Sequence, residues 1–527
     1  MNKTKPEYKW QEFSKKDLLI FALSGFLCAL AFFSKHLGLI SFVGLVPAFA
    51  LIFKNNYSIR SLYALGFMRS YIFYFFVYSW FCELYPLDFL GLDKLSSLCI
   101  VLVAMLFIPI FHSLIFGFAY VLMGKIKHCK PLAAACVWVI FEYIQSLGDL
   151  AFPWAKISIS VYEYTPFIQS AELFGNYFIS FLVVLINSML AFAYCHKNNI
   201  KKAKVYALGA LLIFCANWCY GFVRMTNFKR DDVTTINAAI IQGNVNSNQK
   251  WSYNSTSLML EKYSSLMNEA NDKCKKAQQR LDLVVLPETA IPVSLDPSNN
   301  NLNAVGNAYI DFCRQNKVNM IVGAFLDKDR TSYNSSFFID YEGKIGKNPY
   351  SKRHLVPFGE YVPFRKFLEI IAPDFANMNA LGEDLSKGTS TSVAQAQFGK
   401  IGSLVCFDSI FDNLARQSTL DGANILCVIT NDSWYGDSVA LKQHLAQAVY
   451  RAVENRRYVL RAANTGISAC VGASGEITDS IGANKTGYIL CKAGLGNDIT
   501  LYTKLGNIII AISAVFAALM LVLSKRK

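Results

Sequence analysis

Charge is what this chain has least of. Only 17% of its 527 residues are Asp, Glu, Lys or Arg, against 53% hydrophobic and 14% aromatic. With a mean hydropathy of +0.30, that balance excludes an ordinary soluble globule and points to a polytopic membrane protein. Metal-binding spacing is missing as well. The 14 cysteines include no CxxC pair and no Cys/His zinc pattern, so neither a metal nor any other cofactor is expected. There is no internal repeat and no long low-complexity linker. No cleavage site follows the first apolar run, and a second such run comes almost at once. The first is therefore read as an uncleaved span rather than a removed signal peptide.

What is there in excess is positive charge, a formal net of +14. Nucleic acid would fit that number, but the basic residues cluster beside apolar runs, as topogenic signals do. Anionic lipid headgroups are the more natural partners; no nucleic acid is expected, and a monomer is. A span needs roughly 20 apolar residues. Candidates lie near 18–34, 36–53, 62–82, 96–123, 131–147, 166–195, 205–223 and 506–523, the first two nearly continuous. Basic stretches fall at 2–16, at Lys54 and Arg60, at 124–130, at 196–204 and at the terminal SKRK. With eight spans and a cytoplasmic start, all five lie on one side, and the positive-inside rule makes that side the cytoplasm. The expected division is a transmembrane part of seven helices over 1–231, an extracytoplasmic domain over 232–500 and a last transmembrane helix within 501–527.

Over 232–500 the apolar runs become short and β-branched, as in INAAIIQGN, LDLVVLPET, VNMIVGAF, KIGSLVCF and NILCVITND, and helix-like stretches at 255–280, 304–315 and 438–455 alternate with them. This pattern predicts an α/β domain with a strand core under helices. ASGE at 473–476 predicts a turn between two strands, VLRAANTGISACVG and the EITDSIG run. If the domain is extracytoplasmic, a disulfide among Cys274, Cys313, Cys427, Cys470 and Cys491 is open to it, and the sequence does not pair them.

Three residues at strand ends carry the chemistry. Cys406 closes the strand-like run Ile401–Val405 and opens a helix-like one. There, unpaired N–H groups and the helix dipole would favour a thiolate, and the N–H of Phe407 could bind an oxyanion. The plain alternative is a buried small hydrophobe. Glu288, in LVVLPETAIP, is a candidate general base; taken alone, a cap or surface ion pair is the commoner fate of such a carboxylate. Lys352, in YSKRHLVPFGEYVP, could stabilise the negative oxygen of a tetrahedral intermediate, against the blander reading of a solvated loop lysine. Glu360 and Asp408 are supporting carboxylates, and Trp251, Trp434 and Tyr435 are candidate pocket walls, although an aromatic is more often plain packing.

Taken together, the Glu–Lys–Cys order on this strand pattern resembles the carbon–nitrogen hydrolase (nitrilase) superfamily, whose fold is an αββα sandwich. The whole chain resembles its membrane-embedded branch, the apolipoprotein N-acyltransferases of the bacterial inner membrane. The stretches that carry the likeness are FPW at 152–154, AELFGNYFISFLVVLIN at 171–187, IQGNVNSNQKW at 241–251, PETAIP, KRHLVPFGEYVP, NDSWYGDS at 431–438 and RAVENRRYVLRAANTGISA at 451–469. By that resemblance Glu288 is the base, Lys352 the oxyanion stabiliser and Cys406 the nucleophile. Glu360 matches a further active-site glutamate, and Trp251 a tryptophan near the lipid-binding site. The family's best-known Cys-Tyr-Glu reads Cys406-Phe407-Asp408 here, one hydroxyl fewer and one methylene shorter.

The resemblance implies a thioester exchange. An acyl chain would leave a phospholipid, the sn-1 position of phosphatidylethanolamine, for Cys406, and pass to the α-amine of a diacylglyceryl-cysteine apolipoprotein. Residues 353–375 are a candidate interfacial lid or a loop packed on its own domain, and FPWAKISIS at 152–160 a second candidate lipid-facing loop. Two other readings stand beside this one. With water as acceptor the chain would be a membrane-tethered amidase or nitrilase-type hydrolase. As a non-catalytic lipid-binding or transport protein it would have no need of Cys406. Glu142 and Glu172, in or near the spans, raise the question of intramembrane function, with helix-end placement the simpler reading.

Overall fold

The computed structural model describes residues 11–87, 93–228, 234–246, 250, 255–296, 304–371 and 384–525. The apolar runs become helices: α1 (Lys15–Leu30), α2 (Val46–Lys54), α3 (Ile59–Val77), α4 (Lys94–Lys125) and α5 (Lys130–Ile144). After two four-residue helices, α6 (Thr165–Ile168) and α7 (Ala171–Phe174), come α8 (Asn176–Cys195) and α9 (Ile200–Phe228). Hydroxyl and carboxylate caps start several of them. Ser14 and Asp17 close a capping box on α1, and Asp93 accepts from Leu95 and Ser96 at the start of α4, which satisfies N–H groups that have no partner within the helix.

Among the described residues five helical stretches are long and apolar enough to cross a bilayer: Lys35–Lys54, Lys94–Lys125, Asn176–Cys195, Ile200–Asn227 and Ile508–Lys525. The first joins a 3-10 segment, Lys35–Phe42, to α2. The expected run at 166–195 is interrupted. Gly175 takes φ +80, so membrane-length helix begins at Asn176, and α6 and α7 form a platform under the next domain. The basic stretches gather at one end of the bundle. Gln11 N–H donates to the Asn56 carbonyl (2.9 Å), Lys130 Nζ to that of Phe53 (2.9 Å), and Lys127 N–H to Ser524 Oγ (2.9 Å).

The rest is a sandwich. One sheet runs β12-β1-β2-β3-β4-β5 and the other β11-β10-β9-β8-β7-β6. The first comprises β1 (Thr235–Gln242), β2 (Leu283–Val285), β3 (Asn319–Lys328), β4 (Thr331–Ile339), β5 (Tyr350–Ser351) and β12 (Gly487–Gly494). The second comprises β6 (Ala394–Ala396), β7 (Gly399–Val405), β8 (Ile425–Thr430), β9 (Val459–Ala463), β10 (Ser468–Val471) and β11 (Ile477–Ile481). Each has a parallel core, β1-β2-β3 or β7-β8-β9, with antiparallel flanks. VLRAANTGISACVG, expected as one strand, is therefore a hairpin of β9 and β10, because NTG turns the chain back.

Side-chain alternation sorts the layers. Ile240, Val285, Ile321, Val405, Cys427 and Ile429 meet between the sheets. Ile241, Val284 and Val322 face α10 (Ser255–Lys276) and α11 (Ala304–Asn316). Leu404, Val428 and Val459 face α13 (Asp412–Leu420) and α14 (Val439–Asn455); α12 (Arg365–Ile371) lies apart from these layers. α15 (Leu501–Leu505) leads into α16 (Ile508–Lys525), which returns to the bundle.

One apolar cluster runs without a break from Phe49 and Trp138 of the bundle through Trp154 to Val449 of α14 and Val428 of β8. The helix layer over the second sheet is thus covered by the bundle instead of water. FPWAKISIS lies in this joint. Trp154, Lys156 and Ile157 are fully buried, which corrects the lipid-facing reading: the segment packs on α14, with Trp154 Nε1 donating to Gln443 Oε1 (2.6 Å) and Tyr450 Oη to the Ser158 carbonyl (2.7 Å). Glu142 accepts from Ile157 N–H and Trp138 Nε1, both at 2.8 Å. Glu172 is clamped between Arg456 (2.6 Å) and Arg224 (2.7 Å). Both carboxylates are structural.

Removing one partner of a buried ion pair leaves the other charge stranded and costs roughly 3–5 kcal/mol. Arg456→Met should therefore lower the unfolding free energy, measured by chemical unfolding in detergent, by an amount in that range. Arg224→Met, whose side chain is a third exposed, should cost under about 1 kcal/mol.

Candidate active site

Two of the chemistry-bearing residues lie at the carboxyl ends of parallel strands, where open α/β sheets place their sites: Glu288 follows β2 and Cys406 follows β7, while Lys352 leaves the antiparallel edge strand β5. Gly323 of β3 lets the Glu288 turn come close. A Cβ there would stand 2.7 Å from Glu288 Cα and 2.5 Å from Thr289 N, so only glycine fits.

All three predicted groups are buried: Glu288 is 5% exposed, Lys352 1% and Cys406 5%. Lys352 Nζ sits 2.9 Å from the Glu360 carboxylate and 3.5 Å from Glu288 Oε1. Asn334 of β4, which the sequence pattern did not single out, ties the two acids together, its Nδ2 donating to Glu288 Oε1 (2.7 Å) and Glu360 Oε1 (2.9 Å). Glu360 also accepts from Val356 N–H (2.9 Å). Burial by itself would drive the Lys352 ammonium towards neutrality; Glu360 and then Glu288 reverse that and hold its pKa well above the usual lysine range. Lys352 is a fixed positive charge.

Cys406 opens a five-residue 3-10 turn, Cys406–Ile410, and not the expected longer helix. Its φ is +50, a left-handed conformation that costs a non-glycine residue of order 1–3 kcal/mol and persists only where the surroundings impose it. The turn has no extended N-terminus to favour a thiolate. Burial, and secondarily the Glu288 charge, push the thiol well above its ordinary value, with Lys352 pulling the other way. That direction runs against the expectation of a thiolate stabilised by a helix N-terminus.

Asp408 serves as an anchor. It accepts from His354 N–H (2.8 Å), Arg353 N–H (3.2 Å) and Tyr350 Oη (2.8 Å), and so fixes the chain on either side of Lys352. Phe407 stacks on Phe152, centroids 5.8 Å apart. Tyr435 packs against Trp80 (5.0 Å) and Trp154 (5.5 Å), and the partly buried Trp434 joins the same cluster. Trp251 lies outside the described residues. Lys250 is a second residue that the sequence pattern did not mark. It is fully buried, donates to the Glu288 carbonyl (2.9 Å) and is pulled down to about 8 by burial, with Glu288 and Cys406 opposing. The signal available for Asn334 and Lys250 was slight: one asparagine among the hydroxyl side chains of a polar-rich strand, TSYNSSFFI, and a lysine beside a tryptophan.

A sandwich of two parallel-cored sheets, with a carboxylate, a buried ammonium and a thiol converging between strand ends, defines a carbon–nitrogen hydrolase of the nitrilase type, here mounted on membrane helices. The family model for carbon–nitrogen hydrolases matches residues 237–496, and that for the apolipoprotein N-acyltransferase N-terminal domain matches 24–189. The chain belongs to the apolipoprotein N-acyltransferase family. It is 29% identical over 520 residues to the apolipoprotein N-acyltransferase of Geobacter metallireducens, spanning 96% of this chain and 95% of the relative. With that of Borreliella burgdorferi it shares 28% over 406 residues, 75% of each. Among solved structures it is similar to Saccharomyces cerevisiae Nit3, a member of branch 10 of the nitrilase superfamily, at 20% identity, 49% of this chain, 90% of that chain and a TM-score of 0.38.

Two outcomes follow from the geometry. Glu288→Gln removes the negative charge that raises the thiol, so Cys406 should alkylate with a midpoint shifted to lower pH, read by peptide mass spectrometry, while enzyme turnover is lost. Asp408→Asn would turn an amide N–H₂ towards groups that all donate. Losing roughly 1–3 kcal/mol of anchoring should lower the rate of acyl transfer by about 10- to 100-fold, measured on lipopeptide.

Proposed function

We propose that this protein forms a Cys406 thioester with an acyl chain taken from a phospholipid and passes it to the N-terminal amine of diacylglyceryl-cysteine apolipoproteins. The class of activity follows from the family: the chain is an acyltransferase, and N-acylation of apolipoproteins is the last step of lipoprotein maturation. The donor, the thioester and the residue roles are our reading. The observation that carries it is geometric: Lys352 Nζ lies 2.9 Å from Glu360 and 3.5 Å from Glu288, and Lys352 and Glu288 are buried together with the Cys406 thiol, whose electrostatics they dominate after burial.

In the first half-reaction the Glu288 carboxylate takes the Cys406 proton and sulfur attacks the sn-1 ester carbonyl, most naturally of phosphatidylethanolamine. The C–S bond forms, and Lys352 with the Phe407 N–H stabilises the oxyanion. The ester C–O bond then breaks, and Glu288 returns its proton to the leaving lysophospholipid. In the second, the acceptor amine attacks the thioester and Glu288 takes its proton. The C–N bond forms, the C–S bond breaks, and the proton restores the thiol.

Location belongs to the same reading. The basic ends of the helices gather opposite the sandwich, which supports eight spans, both termini in the cytoplasm and a catalytic domain over 232–500 on the periplasmic face of the inner membrane. Phe358, Phe364, Phe367 and Ile370, around α12, are 46%, 56%, 60% and 80% exposed, as a lid resting in lipid would be; residues 372–375 lie outside the described ones. Tyr361 Oη ties this segment to the Asp149 carbonyl (2.6 Å). The exposed apolar side chains and the bundle favour lipid substrates over those of a tethered hydrolase.

Intact mass spectrometry of the protein incubated with phosphatidylethanolamine should show a hydroxylamine-sensitive acyl adduct. The adduct should be absent from Cys406→Ala and discharged by a diacylated lipopeptide. No adduct on folded wild type would end the thioester reading, and discharge as fast by water as by the amine would make the protein a hydrolase.

A further inference from the structure

Around the backbone carbonyl of Cys406 lies a second set of chemistry-bearing residues that the proposed reaction does not use. Asp432, His444 and Ser409 are fully or almost fully buried. Asp432 Oδ1 is 2.9 Å from His444 Nδ1, and His444 Nε2 is 2.9 Å from Ser409 Oγ. This is the connectivity of a Ser-His-Asp triad, but the hydroxyl does not open onto substrate. Ser409 Oγ donates to the backbone carbonyl of Cys406 (2.8 Å), and His444 Nε2 lies 3.3 Å from that same oxygen. Asp432 is held in turn by Arg461 (2.6 Å) and by the Thr430 hydroxyl (2.7 Å). Its carboxylate only accepts, so Nδ1 of His444 carries the hydrogen that faces it; Nε2 is then an acceptor, and the one hydrogen of the Ser409 hydroxyl is shared between Nε2 and the Cys406 carbonyl. The indole of Trp154, from the segment between α5 and α6, lies 5.4 Å from the imidazole and shields it from the other side.

The carbonyl gripped in this way belongs to the residue whose φ of +50 sets the direction of the thiol. We propose that Asp432, His444 and Ser409 form a positioning relay that holds the Cys406 peptide in its left-handed conformation and so aims the sulfur at the acyl carbonyl. The proposal rests on Cys406 being the nucleophile. His444 and Ser409 are positioning residues: they touch the backbone of Cys406 and not the reacting atoms.

The test uses full-length protein in phosphatidylethanolamine-containing nanodiscs and follows the rate of adduct formation at saturating donor, with KM for the donor and the unfolding temperature of each variant. His444→Ala should slow acylation by about 10- to 100-fold with KM changed less than about twofold, the loss falling on geometry and not on lipid binding. His444→Gln, whose amide reaches the Nε2 position, should recover most of the rate. His444→Asn, which reaches Asp432 but stops short of Ser409, should not. Ser409→Ala, the mildest change, should lose about 3- to 10-fold, one hydrogen bond's worth. The relay is refuted by wild-type rates in folded His444→Ala or Ser409→Ala. Losses that follow unfolding temperature equally in Gln, Asn and Ala variants would refute it too, because a role in stability alone does not distinguish Gln from Asn. A wild-type protein that forms no adduct would instead remove the nucleophile reading beneath it.

Discussion

A lysine ammonium removed almost wholly from water can stay charged only if anions meet it, and that constraint organises the reaction centre. Lys352 is 1% exposed and faces Glu360 and Glu288. Desolvating it alone would cost several kcal/mol, so three chain segments must converge before the site is stable. β5 brings the lysine, the turn after β2 one acid and the loop after Lys352 the other. Asn334 bridges the two acids, and the backbone N–H of Val356 donates to Glu360. The same cluster bears on the sulfur. Burial and the Glu288 charge push the Cys406 thiol up, and Lys352 opposes them. In the reaction proposed above, that lysine is in place for the developing negative charge without rearrangement.

The second constraint is mechanical. The covering helix α14 has no face left for solvent: one side packs on β8 and β9, the other on Trp154 and its neighbours. That is why FPWAKISIS does not face lipid. Its apolar side chains and its lysine satisfy the underside of the catalytic domain, with Lys156 Nζ pointing to the Ile410 carbonyl (3.4 Å). Arg451 reaches the Ser409 carbonyl (3.2 Å) from α14. The turn that begins with Cys406 is therefore held at two carbonyls, by Lys156 from the bundle side and by Arg451 from α14.

Much of this architecture is legible in the order of residues alone. Runs of β-branched residues ending in Glu288 and Cys406 mark strand ends, because a strand buried on both faces reads as continuously apolar. Long apolar runs mark helices α1 to α5, α8, α9 and α16, because about 20 apolar residues wound as a helix match the thickness of a bilayer core. The misses have local causes. Gly175 breaks a run that composition alone would continue. NTG divides one apparent strand into a hairpin, and a five-residue 3-10 turn replaces the helix expected after Cys406 because the chain turns left-handed there.

By itself the sequence determined the layers: which segments are apolar helices, which are strands, and that a glutamate, a lysine and a cysteine stand at strand ends. These follow from periodicity and hydrophobicity, properties of neighbours in the chain. Only the tertiary structure decided that Glu288 and Lys352 meet in one buried cluster beside Cys406, that Asn334 bridges the acids, and that Asp432, His444 and Ser409 converge on the Cys406 carbonyl. Those facts depend on contacts between segments tens to hundreds of residues apart. The charge on a buried group is set by what surrounds it in space, which no local pattern records.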